Sequence, residues 1–126
     1  MRKIAVLSSF MEEHHIEKIR TLAESHGFAV DFYADDRLDM TKADQYEILY
    51  GMPDPSLLQH MTGIKWFCTP SAGVEPYTPD EIYPHEGVLL TNSAGAYGIT
   101  ISEHILMVTL MLLGIRQSIL TNRRGL

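Results

Sequence analysis

Short, unbroken apolar runs at intervals along the chain constrain its fold more than any other feature. Ile4-Ala5-Val6-Leu7 carries no polar alternation, the pattern of a strand covered on both faces rather than one with a wet side. After it, Ile16, Ile19, Leu22 and Ala23 recur at helical spacing, and Gly27 supplies a stop. Further strands are expected at Ala29–Tyr33, Ile48–Tyr50, Trp66–Cys68 and Val88–Leu90. Helical patterns lie between most of them, among them Pro55 to Met61, with proline in an opening position.

Short apolar strands alternating with helices predict a parallel sheet with helices on both faces. The expected architecture is therefore a flavodoxin-like, doubly wound α/β domain of about five strands, followed by a C-terminal helix. In such a sheet ligands bind beyond the carboxyl ends of the strands. The loops Ser8–Met11, Gly51–Pro53 and Pro70–Gly73 are expected to line that crevice. The segment Asn92 to Gly98, rich in small residues and poor in charge, has the composition of a hinge or of a tight loop.

The C-terminal helix carries a second constraint. Thr100-Ile101-Ser102-Glu103 has the form of a capping box and predicts a helix start at Thr100. Beyond it Ile105, Leu106, Met107, Val108, Leu110, Met111, Leu112 and Leu113 surround the helix axis, and one small domain cannot bury them all. Left open, they would form an apolar patch of the kind that marks an interface. A second domain or another copy of the chain is the expected cover. The run from Ile105 to Leu113 falls short of the ~20 residues of a membrane span, so no membrane association is expected.

With 126 residues and 45% hydrophobic content, there is material for one domain and an appendage. The net charge is −6 and no Lys/Arg-rich run exists, which argues against a nucleic-acid partner. Arg123-Arg124, an adjacent basic pair near the C-terminus, reads as a solvated tail. The single cysteine, Cys68, excludes an internal disulfide and fits a reducing, cytoplasmic setting.

Several chemistries find no support. No Gly-x-Gly pair occurs, so there is neither a dinucleotide fingerprint nor a kinase glycine loop, and there is no phosphate loop or Gly-x-Ser-x-Gly elbow. A phospho-receiver would need an acidic cluster after the first strand, where Ser8-Ser9 stands, and a lysine after the fifth, where none occurs. Flavin binding would rest on those two serine hydroxyls alone. Glu103-His104 point about 100° apart on a helix and cannot act together on one atom. Glu12, Glu13, His14 and His15 could suggest a metal site, but no second cluster completes it, and a solvated helix face is the preferred reading.

Two segments carry a resemblance. Ile64-Lys65-Trp66-Phe67-Cys68-Thr69-Pro70-Ser71-Ala72-Gly73-Val74 and Asn92-Ser93-Ala94-Gly95-Ala96-Tyr97-Gly98-Ile99-Thr100-Ile101-Ser102-Glu103-His104 are similar to the substrate loop and inter-domain helix of D-isomer-specific 2-hydroxyacid dehydrogenases. The resemblance implies the N-terminal, substrate-side portion of an NAD- or NADP-dependent oxidoreductase acting on a small 2-keto or 2-hydroxy acid. Residues 1–98 would form the substrate-side domain, and residues 99–126 would lead into a Rossmann domain that carries the cofactor site and the catalytic Arg, Glu and His. No catalytic residue is assigned to this chain, and no cofactor is expected to bind it tightly alone. By the same resemblance, Ser71, Ala72 and Gly73 form the carboxylate-binding loop. Small residues after a strand expose backbone N–H groups that hold an anion without a charged side chain. Met52 would lie near the substrate's variable group, Tyr97 would face the substrate, and Thr100 and Ile101 would stand beside the nicotinamide. An alternative is a non-catalytic binding or oligomerisation module, a homodimer joined through Leu106–Leu113.

Overall fold

The computed structural model describes the backbone of residues 1–123 and the side chains of residues 1–116, so Arg123-Arg124 as a solvated tail lies outside the described residues. It contains a five-stranded sheet in the order β2-β1-β3-β4-β5, with every pairing parallel. The strands are β1 (Arg2–Leu7), β2 (Phe28–Tyr33), β3 (Tyr46–Tyr50), β4 (Trp66–Cys68) and β5 (Leu89–Thr91). This is the flavodoxin-like order, and its switch point lies where β1 is flanked by β2 on one side and β3 on the other.

The register sorts the side chains into two rows. Asp31, Ala5, Leu49, Phe67 and Leu90 are cross-strand neighbours in one row. On that side lies the core, where Leu58, Met61, Ile64 and Phe67 are fully buried together with Tyr46 and Leu49. Val30, Ile4, Ile48, Trp66 and Leu89 form the opposite row. The helix α1 (Glu13–Ser25) sets Ile19, Leu22 and Ala23 beside Ile4 and Phe28 of that side, while Trp66 and Leu89 are exposed. Continuous burial on both faces, expected from the apolar run in β1, holds there, with Ala5, Val6 and Leu7 all buried. It does not extend to β4 and β5.

Between the other strands the helical segments are short 3-10 turns rather than α-helices. Met40–Gln45 and Pro55–His60 are each capped by the aspartate that precedes them, Asp39 and Asp54. Asp39 Oδ1 accepts from Thr41 Oγ1 at 2.7 Å and Thr41 N at 3.0 Å, and Asp54 Oδ1 accepts from Ser56 Oγ at 2.7 Å and Ser56 N at 2.9 Å. These bonds hold both carboxyl groups below the usual aspartate range.

Residues Met1–Ser93 and Ala94–Leu126 form separate compact units. The second contains α2 (Gly98–Arg123). Its start is two residues ahead of the expected cap at Thr100: Ile101 N donates to Tyr97 O at 2.9 Å, which places Thr100 inside the first turn, and Ser102 Oγ bonds back to Gly98 O at 2.7 Å. The local Ser/Thr-x-x-Glu pattern was overridden because Gly95, at φ +81°, turns the chain early enough for Tyr97 to offer its carbonyl. The apolar stretch is also longer than Ile105–Leu113. Gly98–Arg116, with a mean hydropathy of 1.8, reaches the length and composition of a membrane span, and none of it is buried.

Gly51 closes β3 at φ +147°, and its N–H donates to Cys68 O at 3.1 Å. A Cβ here would stand 2.6 Å from Leu7 Cβ and 2.9 Å from Leu7 O. Gly51→Ala is expected to destabilise the domain by about 2–5 kcal/mol, combining backbone strain with overpacking, read as a lowered urea midpoint. Tyr46 gives a pH signature. Its phenol is buried and donates to Asp31 Oδ2 at 2.6 Å, and Tyr33 Oη lies 2.7 Å from it. Burial first, and then the bond to Asp31, push the phenol well above the ordinary tyrosine range. A raised folded-state value means the contribution is whole below the unfolded pKa of ~10 and is lost as pH rises above it. Tyr46→Phe is therefore expected to flatten the loss of stability above pH ~10 in alkaline denaturation.

Candidate functional site

Since all strands run parallel, the loops after β1, β3 and β4 emerge at one edge. The loop after β1 carries Phe10, which is 91% exposed at the switch point, and its N–H donates to Ser8 Oγ at 3.3 Å. The loop after β3 carries exposed Met52 beside buried Pro53. Tyr77 joins that loop to the segment that follows β4: its hydroxyl donates to Pro53 O at 2.8 Å, and its ring meets Phe67 edge-on at 4.8 Å. Burial, followed by the charges of Asp36 and Asp54, raises the Tyr77 phenol above its ordinary range, so it stays a neutral donor.

The loop after β4 is built on Thr69, a fully buried polar residue. Thr69 N donates to Thr91 O at 3.0 Å, and its hydroxyl lies 2.8 Å from Ser71 Oγ. Ser71 Oγ donates to Gly73 O at 2.7 Å. The Ser71 hydroxyl is thus spent on bracing its own loop. Its neighbours across the sheet edge belong to the segment leaving β5. Ser93 N donates to Ser71 O at 3.0 Å, Ser93 Oγ donates to Thr69 O at 3.1 Å, and Asn92 Nδ2 donates to Ala72 O at 2.8 Å.

These bonds fix the direction of the amides. In a trans peptide the carbonyl of one residue and the N–H of the next point opposite ways, and the chain has no cis peptide. With Ser71 O and Ala72 O drawn toward residues 92 and 93, the N–H groups of Ala72 and Gly73 project away from that segment. No group among the described residues accepts from either, and both residues are exposed. Two adjacent donors that both face away from residues 92 and 93 have the chemistry to hold an anion. One opposing charge is close by: the Glu75 carboxylate lies over Gly73, its Oε2 2.9 Å from where a Cβ would stand.

Ser71, Ala72, Gly73 and Met52 therefore share one edge of the first unit, on the loops of adjacent strands. Tyr97, Thr100 and Ile101 belong to the second unit, where Tyr97 O receives the first helical bond and Ile101 is 56% exposed. The bracing roles of Thr69, Asn92 and Ser93 escaped the sequence reading, since their partners lie up to 24 residues away. Glu12, His14 and His15 do converge, with one donor atom of each within 4.8 Å of the others, whereas Glu13 is not part of the group. All three are exposed at the start of α1, and His15 Nδ1 already accepts from Glu12 N at 3.3 Å.

A solved structure of phosphoglycerate dehydrogenase from Lactobacillus plantarum is similar to this chain, with a TM-score of 0.57 and 22% identity over 95% of the chain. The match covers 38% of that protein, so this chain spans well under half of its length. No protein-family model and no curated protein matches. At this identity the likeness establishes the fold: a parallel α/β domain of the kind found in a dehydrogenase.

Proposed function

We propose that the chain is the substrate-side portion of an NAD- or NADP-dependent oxidoreductase of the D-2-hydroxyacid dehydrogenase type, and that its loop after β4 holds the carboxylate of a small 2-keto acid. The observation that carries this reading is the pair of unpaired N–H groups of Ala72 and Gly73, both turned away from residues 92 and 93 at the carboxyl edge of the sheet. The dehydrogenase fold neighbour and the resemblance of the flanking residues support it. In that setting Met52 contacts the substrate's variable group and Tyr97 faces the substrate. Thr100 and Ile101 flank a nicotinamide whose site belongs to a Rossmann domain, and that domain supplies hydride and proton transfer. This chain's contribution is positioning: two donors fix one end of the substrate so that its keto carbon is presented in a single orientation. The 126 residues alone bind the keto acid weakly, bind no nicotinamide tightly and turn nothing over. The protein is read as cytoplasmic.

Titration of the isotopically labelled chain with pyruvate, followed by amide NMR, tests this. Millimolar pyruvate is expected to shift the Ala72 and Gly73 N–H resonances first and most. Shifts confined to other surfaces, or none up to solubility, would remove the keto-acid reading.

A second reading has its own observation. Leu106, Leu110, Met111, Leu112 and Leu113 are each more than half exposed on α2, an apolar surface that water does not favour leaving open. It supports a docking helix that receives a second domain or, in the chain alone, another copy through Leu106–Leu113. Sedimentation is expected to show a concentration-dependent dimer that Leu110→Glu converts to monomer. A monomer at high concentration in the unaltered chain would set this reading aside.

A further inference from the structure

The geometry points to Asn92 and Ser93 as positioning residues for anion recognition: by holding the carbonyls of Thr69, Ser71 and Ala72, they aim the Ala72 and Gly73 N–H groups outward. The inference deepens the proposed function and rests on its reading of that loop as a carboxylate site. None of the loop's own side chains can do this job. Ser71 Oγ reaches Gly73 O, which sets the Gly73–Val74 peptide, while the two peptides that own the free donors are Ser71–Ala72 and Ala72–Gly73. The carbonyls of those two are held from outside the loop, by Ser93 N at 3.0 Å and Asn92 Nδ2 at 2.8 Å. Ser93 Oγ fixes the root of the loop at Thr69 O, 3.1 Å away.

A backbone cradle of small residues has little intrinsic stiffness, because Ala72 and Gly73 carry no side chain that packs and both are exposed. Without the clamp each peptide plane can rotate, and the two N–H groups lose the common outward aim that one carboxylate requires. Asn92 and Ser93 are the last residues of the first unit before the chain passes into Ala94–Leu126. The three hydrogen bonds to Thr69, Ser71 and Ala72 thus all originate at the exit of the first unit.

Two substitutions separate the clamp from simple packing. Asn92→Ala removes the donor. Asn92→Asp preserves size and shape but presents a carboxylate that cannot donate to Ala72 O, and on protonation below pH ~4 it regains an O–H donor. Two readouts are taken on the full chain: residual dipolar couplings of the Ala72 and Gly73 N–H vectors without ligand, and the dissociation constant for pyruvate. Both variants are expected to alter the Gly73 coupling at neutral pH and weaken pyruvate about threefold to tenfold, the loss of one modest hydrogen bond. Asn92→Asp is expected to recover the native coupling when acidified, whereas Asn92→Ala does not. Ser93→Ala is expected to perturb both amides while leaving the urea midpoint nearly unchanged. Unchanged couplings in Asn92→Ala, or no acid recovery in Asn92→Asp, overturn the inference. Unaltered chain that shows clamp-dependent couplings yet fails to bind pyruvate overturns the keto-acid reading and leaves the clamp standing.

Discussion

Everything at the candidate site follows from one constraint, the parallel run of the five strands, because it delivers each loop that follows a strand to the same edge. A parallel ladder also leaves the last carbonyls of each strand in search of donors, and here the neighbouring loops supply them. Gly51 N donates to Cys68 O, Ser8 N to Tyr33 O and Thr69 N to Thr91 O, each near 3.0 Å. The edge is thereby stitched from β2 to β5 before any ligand is considered. The close approach of Gly51 to Leu7 is part of that stitching, since a side chain there would push β3 away from β1 at the switch point. The site loops are tied by hydrogen bonds where they leave the strands.

How much of this could be read from sequence depended on the range of the interaction involved. β4 was legible to the residue, Trp66–Cys68, because an apolar strand preceded by lysine and followed by Thr69-Pro70 has few alternatives. β1 and β3 extend further upstream than their apolar runs, as Arg2, Lys3 and Glu47 are held by cross-strand polar pairs such as Arg2 to Glu47 at 2.6 Å. Those pairs are non-local and leave no local signature. The early start of α2 depends on the backbone conformation of Gly95 and could not be weighed against the hydroxyl–glutamate pattern that suggested Thr100. Ala72 and Gly73 were legible as small residues following a strand. Asn92 and Ser93 read as hinge composition, because nothing in their own neighbourhood announces partners 20 and 24 positions earlier.

The cradle's strength is bounded by ordinary magnitudes. A hydrogen bond to a charged group contributes about 1.5–3 kcal/mol, so two amides offer a carboxylate roughly 3–6 kcal/mol. Association costs about 4 kcal/mol or more in lost translational and rotational freedom. The surplus is small, and the Glu75 carboxylate over Gly73 reduces it further. A cradle of this kind orients a ligand that something else attracts. The loops Ser8–Met11, Gly51–Pro53 and Pro70–Gly73 contain no lysine or arginine. These loops by themselves therefore supply orientation and little attraction, in keeping with the positioning role proposed above.

The same reasoning applies to the apolar helix. α1 covers its side of the sheet with a mixed surface and leaves Leu22 61% exposed, an ordinary degree of imperfection for a small domain. α2 differs in kind, because apolar side chains occur around its whole circumference, so no single packing face can satisfy it. Glu103, His104 and Ser102 near its start mark the end that belongs near water, and the remaining length asks for cover on more than one side. A lipid environment would satisfy such a cylinder without specificity. Protein surfaces on more than one side would do so with shape, which is the physical basis of the docking helix proposed above.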